Sequence, residues 1–262
     1  VSEVAVLNLI IVSLTSSILG VPLVLKRLSL LGAGLSHSAL GGVAIAYLMG
    51  LSPLPTTLIY TLLMGILIYT LSSRGKVSGD AVIAVLFTSG VALGILVLGD
   101  HSHSEAHLSE AILGEPFKVS WYDLILSIFL LLLTLLFILR LRNHLTLLCF
   151  NEDLAVSYGI RVDMVAYSLL ILSSLSIVLA VKVVGVLLAS ALFVIPAMTS
   201  LFLVSGFGRA VLLSSAVSLI CTSAGVIITE RTGFQPGGVV VFALLLMFMA
   251  SFLFNQVRSR LQ

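Results

Sequence analysis

From residue 4 to residue 256 the chain is a succession of apolar runs, each close to the ~20 residues an α-helix needs to cross hydrocarbon. They cover 4–25, 28–49, 54–72, 80–99, 121–139, 164–181, 184–205, 210–228 and 237–256. The short Leu51–Pro55 connection and the tight 181–185 junction make one pairing ambiguous, so about nine spans are expected, with eight or ten as alternatives. Within lipid only helices and closed barrels satisfy their backbone groups, and these runs lack the alternation of barrel strands. Composition points the same way. Of 262 residues, 60% are hydrophobic and 9% are charged, against about 25% charged in a soluble domain. The expected fold is an all-α, polytopic integral membrane helical bundle, one domain over residues 1–262.

Basic residues set the orientation. With the first helix running from outside to inside, Lys26, Arg27, Arg74, Lys76, Arg140, Arg142, Arg161, Arg209, Arg258 and Arg260 fall inside. Only Lys118, Lys182 and Arg231 stay outside. The N-terminus is therefore expected outside and the C-terminus in the cytoplasm. The first run reads as a retained helix: Lys26 and Arg27 follow it, and no small-residue cleavage site stands out. Cys149 and Cys221 fall in an inside loop and within a span, which argues against a disulfide. The formal net charge of +2 is spread over loops without a basic patch or interleaved aromatics, so nucleic acid is not an expected partner. Two polar stretches remain, an external loop at 100–120 and a cytoplasmic one at 140–163.

The external loop contains the sequence DHSHSEAHLSE at 100–110. His103 and His107 are four apart, so a helical turn would place them on one face with Glu110 three further on. That suits a modest external zinc site, with His101 and Asp100 as additions; a solvated polar loop is the alternative. No Gly-rich phosphate loop ending in Lys-Ser/Thr occurs, so nucleotide hydrolysis is not expected in this chain. No HExxH occurs either, and His103-Ser-Glu105-Ala-His107 has the wrong order for a helical zinc protease. Transport is a better default than an intramembrane enzyme.

The second span reads RLSLLGAGLSHSALGGVAIA over 27–46. His37 lies ~13 Å from its inner end, near the bilayer midplane. Around it are Gly32, Ala33, Gly34, Ser36, Ser38, Ala39, Gly41 and Gly42. Such residues let backbones approach closely and can leave room for a path. An ionisable group at that depth normally faces the bundle or an aqueous cavity. His37 reads either as a neutral hydrogen bonder across helices, helped by Ser36 or Ser38, or as a transient imidazole ligand for a divalent cation.

Two further stretches carry local information. In NEDLAVSYGI, residues 151–160, Asn151 is a good N-cap, Glu152 and Asp153 suit the positive first turn, and Gly159 suits a left-handed C-terminal position. The prediction is a short helix of about two turns, either a plain surface helix or a docking element. In VGVLLASALFVIPA, residues 184–197, Gly185, Ala189, Ser190 and Ala191 form a small-residue stripe, and Pro196 removes one backbone hydrogen bond. That predicts a tightly packed, kinked core helix, which is compatible with its also being a pathway wall.

Together these three stretches resemble the ABC-3 family, the membrane permeases of ABC-type importers for zinc, manganese and iron(II). The second span is similar to the family's pattern of Ser-Leu, Gly-acidic, Leu-Ser-His, small residues and Gly-Val-Ala; the other two match in order and spacing. The resemblance implies a homodimer in a prokaryotic plasma or inner membrane, cytoplasmic ATP-binding subunits that drive it, and an extracytoplasmic metal-binding protein that delivers the ion. It implies no permanently bound cofactor, the divalent metal ion being cargo. It assigns His37, Ser36, Ser38, Gly34, Ser190 and Pro196 to the translocation path. It makes Asn151, Glu152, Asp153, Leu154, Ala155, Tyr158 and Gly159 part of a coupling helix, with Leu154, Ala155, Val156 and Tyr158 as apolar contacts to the ATPase.

One departure concerns chemistry. The family commonly has an acidic residue directly after the Gly of the second span, and this chain has Ala33. A carboxylate there would lie one turn from His37 and complete an oxygen–nitrogen pair suited to a divalent metal. Without it, two His37 side chains facing each other across a twofold axis, or a ligand from elsewhere, would have to serve. Two rival classes are a permease for a larger chelate, such as a siderophore or cobalamin, and a stand-alone metal facilitator. The first usually has a longer chain and about ten spans; the second needs several ionisable groups within the spans, where this chain has almost none besides His37.

Overall fold

The computed structural model describes residues 3–74, 78–98 and 119–260, and all of the regular structure among them is helical. In order these helices are α1 (Glu3–Leu25), α2 (Leu31–Met49), α3 (Pro53–Arg74), α4 (Gly79–Leu98), α5 (Trp121–Phe150), α6 (Glu152–Ser157), α7 (Val162–Leu203), α8 (Phe207–Thr232) and α9 (Pro236–Arg260). Eight of them, all but α6, are long and apolar enough to cross a membrane.

The length of α7 resolves the ambiguity at 181–185. A straight helix of its 42 residues would be about 63 Å long, twice the hydrocarbon thickness. Gly185 breaks it, with φ 81° and ψ 168°, a backbone geometry open to glycine and strained for any other residue. The arms 162–184 and 186–203 then run in opposite directions. Val162, Val165 and Ala197 share one apolar cluster with Ile18 and Val21 of α1. Val183, Val184 and Leu188 share another with Leu9 and Val12, further towards the start of the same helix. The eight long helices thus supply nine arms, and the runs expected at 164–181 and 184–205 are the two arms of one hairpin.

Helix α5 begins with a capping box. The Ser120 hydroxyl accepts from the Asp123 amide, and the Asp123 carboxylate accepts from the Ser120 amide at 3.0 Å. The same carboxylate, 1% exposed, receives Lys182 at 2.6 Å, which pins the tip of the α7 hairpin to the start of α5. At its other end α5 runs on to Phe150, beyond the expected limit of 139. No Gly or Pro interrupts 121–150; Arg140 and Arg142 mark a change of surroundings, and the backbone answers only with a kink at Leu141. Much of 140–163, expected as a loop, is therefore helix. Cys149 and Cys221 are both free.

Helices α1, α2 and α7 form the centre, each with 67% of its spanning window buried, against 17% for α9. Small residues make this possible. A Cβ at Gly20 of α1 would fall on the backbone carbonyl of Phe193 in α7, so here the two main chains touch. The α2–α4 contact is built the same way, with Gly34 against Ile83, Gly90 against Ser38 and Gly94 against Leu40. Across α1 and α8, Ser214 and Ser218 donate to the carbonyls of Ser17 and Ser13 at 2.9 and 3.0 Å, which fixes an antiparallel register. The outer faces of the peripheral helices are apolar, as in Ile125, Phe129, Leu132 and Leu136 of α5, and suit contact with lipid.

The basic residues separate by end. Lys26, Arg142, Arg161 and Arg209 lie at the end that holds α6, whereas Lys182 and Arg231 lie at the opposite end. Gly20→Ala should destabilise the bundle by about 1–3 kcal/mol, the usual range for overpacking. Gly238→Ala, where an added Cβ meets nothing within 4 Å, should stay within about 0.5 kcal/mol of wild type. Melting of the detergent-solubilised protein checks this; equal melting temperatures would contradict the backbone contact.

Candidate translocation and coupling sites

Helix α2 carries His37 on a half-buried face, while its neighbours Ser36 and Ser38 are fully buried. The geometry around the imidazole is specific. Its Nδ1 lies 2.9 Å from the Ala33 carbonyl, one turn back on the same helix. A carbonyl can only accept, so in the neutral ring Nδ1 carries the proton and Nε2 keeps its lone pair. The ring rests against Phe87 of α4, with centroids 4.6 Å apart and planes at 51°. One nitrogen is thus tied to the helix, an aromatic ring limits rotation, and the other nitrogen has no protein partner among the described residues. This is the usual arrangement of a ligating histidine, whose second nitrogen is oriented by an oxygen acceptor. The hydrogen bond across helices, one of the two sequence readings of His37, is not the one formed by Nδ1.

The other residues assigned to a path divide by position. Ser190 of α7 is half-buried, and its hydroxyl donates to the Leu187 carbonyl at 2.9 Å. It sits beside α2, because a Cβ at Gly32 would lie 3.6 Å from its carbonyl oxygen. Gly34 and Ser38 face α4, the Ser38 hydroxyl donating to the Leu35 carbonyl at 3.0 Å. Ser36 is buried with no hydrogen-bond partner for its hydroxyl, and Pro196 is buried in the second arm of α7. Accessible surface therefore belongs to His37 and Ser190; the other four pack the helices that hold them. Among the described residues no three His, Cys, Asp or Glu side chains come together to hold a metal ion. His101, His103, His107 and Glu110 lie outside the described residues.

Helix α6 is the short element expected at 151–160. Asn151 caps it, its side-chain oxygen accepting from the Leu154 amide at 3.1 Å, and Gly159 turns the chain with φ 75°. Leu154, Val156 and Tyr158 are exposed, Tyr158 by 75%. Glu152 and Asp153 are exposed as well. Ala155 is fully buried, seated among Leu145, Leu148, Val162 and Phe207, so it anchors α6 to the bundle and leaves the three larger side chains facing out. Lys26, just past the end of α1, pairs with Glu152 at 2.7 Å.

Three participants were not singled out in the sequence. Phe87 lies in an unbroken apolar run and gives no local sign of touching a histidine fifty residues away. Lys26 looked like a topology marker and also ties α1 to α6. Asp163 accepts from the Tyr69 hydroxyl at 2.8 Å, joining the α6 end of α3 to the start of α7.

The chain matches the ABC 3 transport family over residues 2–255. It is 29% identical over 248 residues to the manganese import system permease protein ScaB of Streptococcus parasanguinis, covering 95% of this chain and 88% of that one. It is 26% identical to the chelated iron transport system membrane protein YfeD of Yersinia pestis, covering 97% and 85%. Among solved structures it is similar to PsaBC from Streptococcus pneumoniae in complex with Fab. That match has a TM-score of 0.82 and 27% identity, and covers 95% of this chain and 89% of the other. With nine apolar helical arms among the described residues, a half-buried histidine on a central helix and a short anchored helix at one end, the chain is a multi-pass membrane permease and belongs to the ABC 3 transport family.

Proposed function

We propose that this permease carries a divalent transition-metal ion into the cytoplasm as the membrane subunit of an ABC importer, driven by separate ATPase subunits. The observation that supports this best is the His37 imidazole, oriented through Nδ1 with Nε2 left for a ligand. An imidazole nitrogen suits manganese, iron and zinc. The names of the relatives from Streptococcus parasanguinis and Yersinia pestis favour manganese and iron. A second copy of the chain would bring a second His37 to the path. A single nitrogen from each subunit binds weakly, and weak binding suits an ion that must leave again. Tight capture would belong to an extracytoplasmic metal-binding protein.

The end that holds α6 is the cytoplasmic one in this reading, because it carries the excess of basic residues. Leu154, Val156 and Tyr158 then face an ATPase subunit, and the buried Ala155 and the Lys26–Glu152 pair transmit its movement to α1 and the core. The 100–110 histidine cluster would lie on the outer side, where it could collect metal or shape docking of the delivery protein.

Loss of even an outer-shell partner of a metal ligand commonly costs 10–100-fold. His37→Ala should therefore lower uptake of manganese and iron by about tenfold or more, with normal amounts of protein in the membrane. Unchanged uptake of every metal would sink the central-site reading. Leu154→Asp with Tyr158→Asp should separate ATP hydrolysis from transport while His37 is intact, read as ATPase activity that no longer responds to metal and delivery protein. A variant that still couples would refute docking through α6. Deleting 101–107 should reduce uptake only when metal is scarce; loss at all concentrations would contradict an accessory role.

A further inference from the structure

A cavity of about 520 Å³ opens at the α6 end of the bundle, between the last turns of α5 and the start of α8. Its polar lining is Arg142, Asn143, Thr146, Ser205 and Arg209, and no carboxylate is among its lining residues. Neither guanidinium has an ion pair or hydrogen bond among the described residues. Of the acids described at this end, Glu152 pairs with Lys26, Asp163 accepts from Tyr69, and Asp153 is exposed on α6 and does not line the cavity. Arg142 reaches across the gap, since a Cβ on Gly208 would stand 2.8 Å from one of its terminal nitrogens. That position is the first turn of α8, whose N-cap Gly206 supplies no side-chain acceptor. Two guanidinium groups and the positive end of a helix dipole therefore converge on one space. Both side chains are exposed, and like charges brought to one space with a helix N-terminus favour an anion between them.

The surroundings select the kind of anion. One turn from Arg142, Leu139 of α5 is exposed, and one turn from Arg209, Leu212 of α8 is exposed to the same degree, 74%. From there Leu132, Leu135 and Leu136 on α5 and Leu219 and Ile220 on α8 continue the exposed apolar faces into the span. α5 and α8 each pack on α1, through Leu145 with Ile18 and Val21, and through the Ser214–Ser17 bond. The cavity therefore has cationic walls at the level where headgroups lie, with apolar flanks leading up from it.

We propose that this cavity is a binding site for the phosphate of an anionic phospholipid from the leaflet on the α6 side, with Arg142 and Arg209 gripping the headgroup and its acyl chains lying along α5 and α8. The site does not depend on which ion is transported. A lipid held there would brace the kinked end of α5 and the first turn of α8 on either side of the bed in which Ala155 anchors α6.

Native mass spectrometry of the full-length protein, titrated with phosphatidylglycerol or phosphatidylcholine of identical chains, tests the proposal. Wild type should take up its first phosphatidylglycerol about tenfold more tightly than phosphatidylcholine, a difference of ~1.4 kcal/mol. In Arg142→Gln with Arg209→Gln that preference should fall to about twofold or less, while Arg161→Gln, at the same end but outside the cavity, should keep it. Melting of each variant shows whether it is folded. Should the double variant not fold, Thr146→Val with Ser205→Ala keeps both charges and should weaken the preference by roughly threefold. A preference that survives in the folded variants overturns the site. Displacement of the lipid by inorganic phosphate at equal concentration would mean a free anion is the ligand, which also overturns it. So would a double variant that keeps its lipid but no longer retains its ATPase subunit, since the cavity would then serve a protein carboxylate.

Discussion

The backbone of α1 meets the backbone of α7 at Gly20 and Phe193, and the bundle is arranged around that contact. Lipid gives helices little hydrophobic reason to associate, so close approach through small residues has to supply the attraction. α1 can take this role because α7 folds back at Gly185 and offers it two arms. The serines of α8 then close a neighbouring side of α1 by donating to carbonyls that are already used within that helix. α2 completes the centre, and the more lipid-exposed helices surround it. The position of His37 follows from this packing, since α2 is held by α7 at Gly32 and by α4 at Gly34 and Ser38.

A second regularity links the fold to its chemistry. Hydroxyl groups within the spans mostly return to the carbonyl three or four residues back, as in Ser13, Thr15, Ser38, Ser173 and Ser190. His37 does the same with Ala33. For a serine this local bond only hides a polar group from lipid. For a histidine it also selects the tautomer, and hence which nitrogen is left to meet a ligand. The side chain at 33 is a methyl group, yet its carbonyl orients the ring. A position that departs from the family pattern in side chain still contributes through its main chain.

How much of this was legible depends on range in the chain. The apolar runs were readable because crossing hydrocarbon imposes a length, and the 181–185 junction stood out because two such runs were too close for an ordinary loop. The N-cap at Asn151 and the left-handed Gly159 were local and readable. Local rules fail where a charge does not end a helix: Arg140 and Arg142 alter the surroundings of α5 without stopping it. They also could not show that Ala155 faces inward while Leu154, Val156 and Tyr158 face out, because that depends on α5 and α7 arriving beside it. The Phe87 contact and the convergence of Arg142 with the start of α8 are long-range consequences of packing. The candidate histidine was readable; its orientation was not.

Two ion pairs stand at opposite ends of the same central helices: Lys26 with Glu152 beside α6, and Lys182 with Asp123 at the hairpin tip. Between them α1 is joined main chain to main chain to the second arm of α7, at Gly20 and Phe193. A push on α6 would reach α1 through the Lys26–Glu152 pair and pass to α7 through this backbone contact. The α2 segment bearing His37 is fastened to the same contact, since Gly32 lies against Phe193, so the imidazole would travel with α1 and the second arm of α7 rather than apart from them.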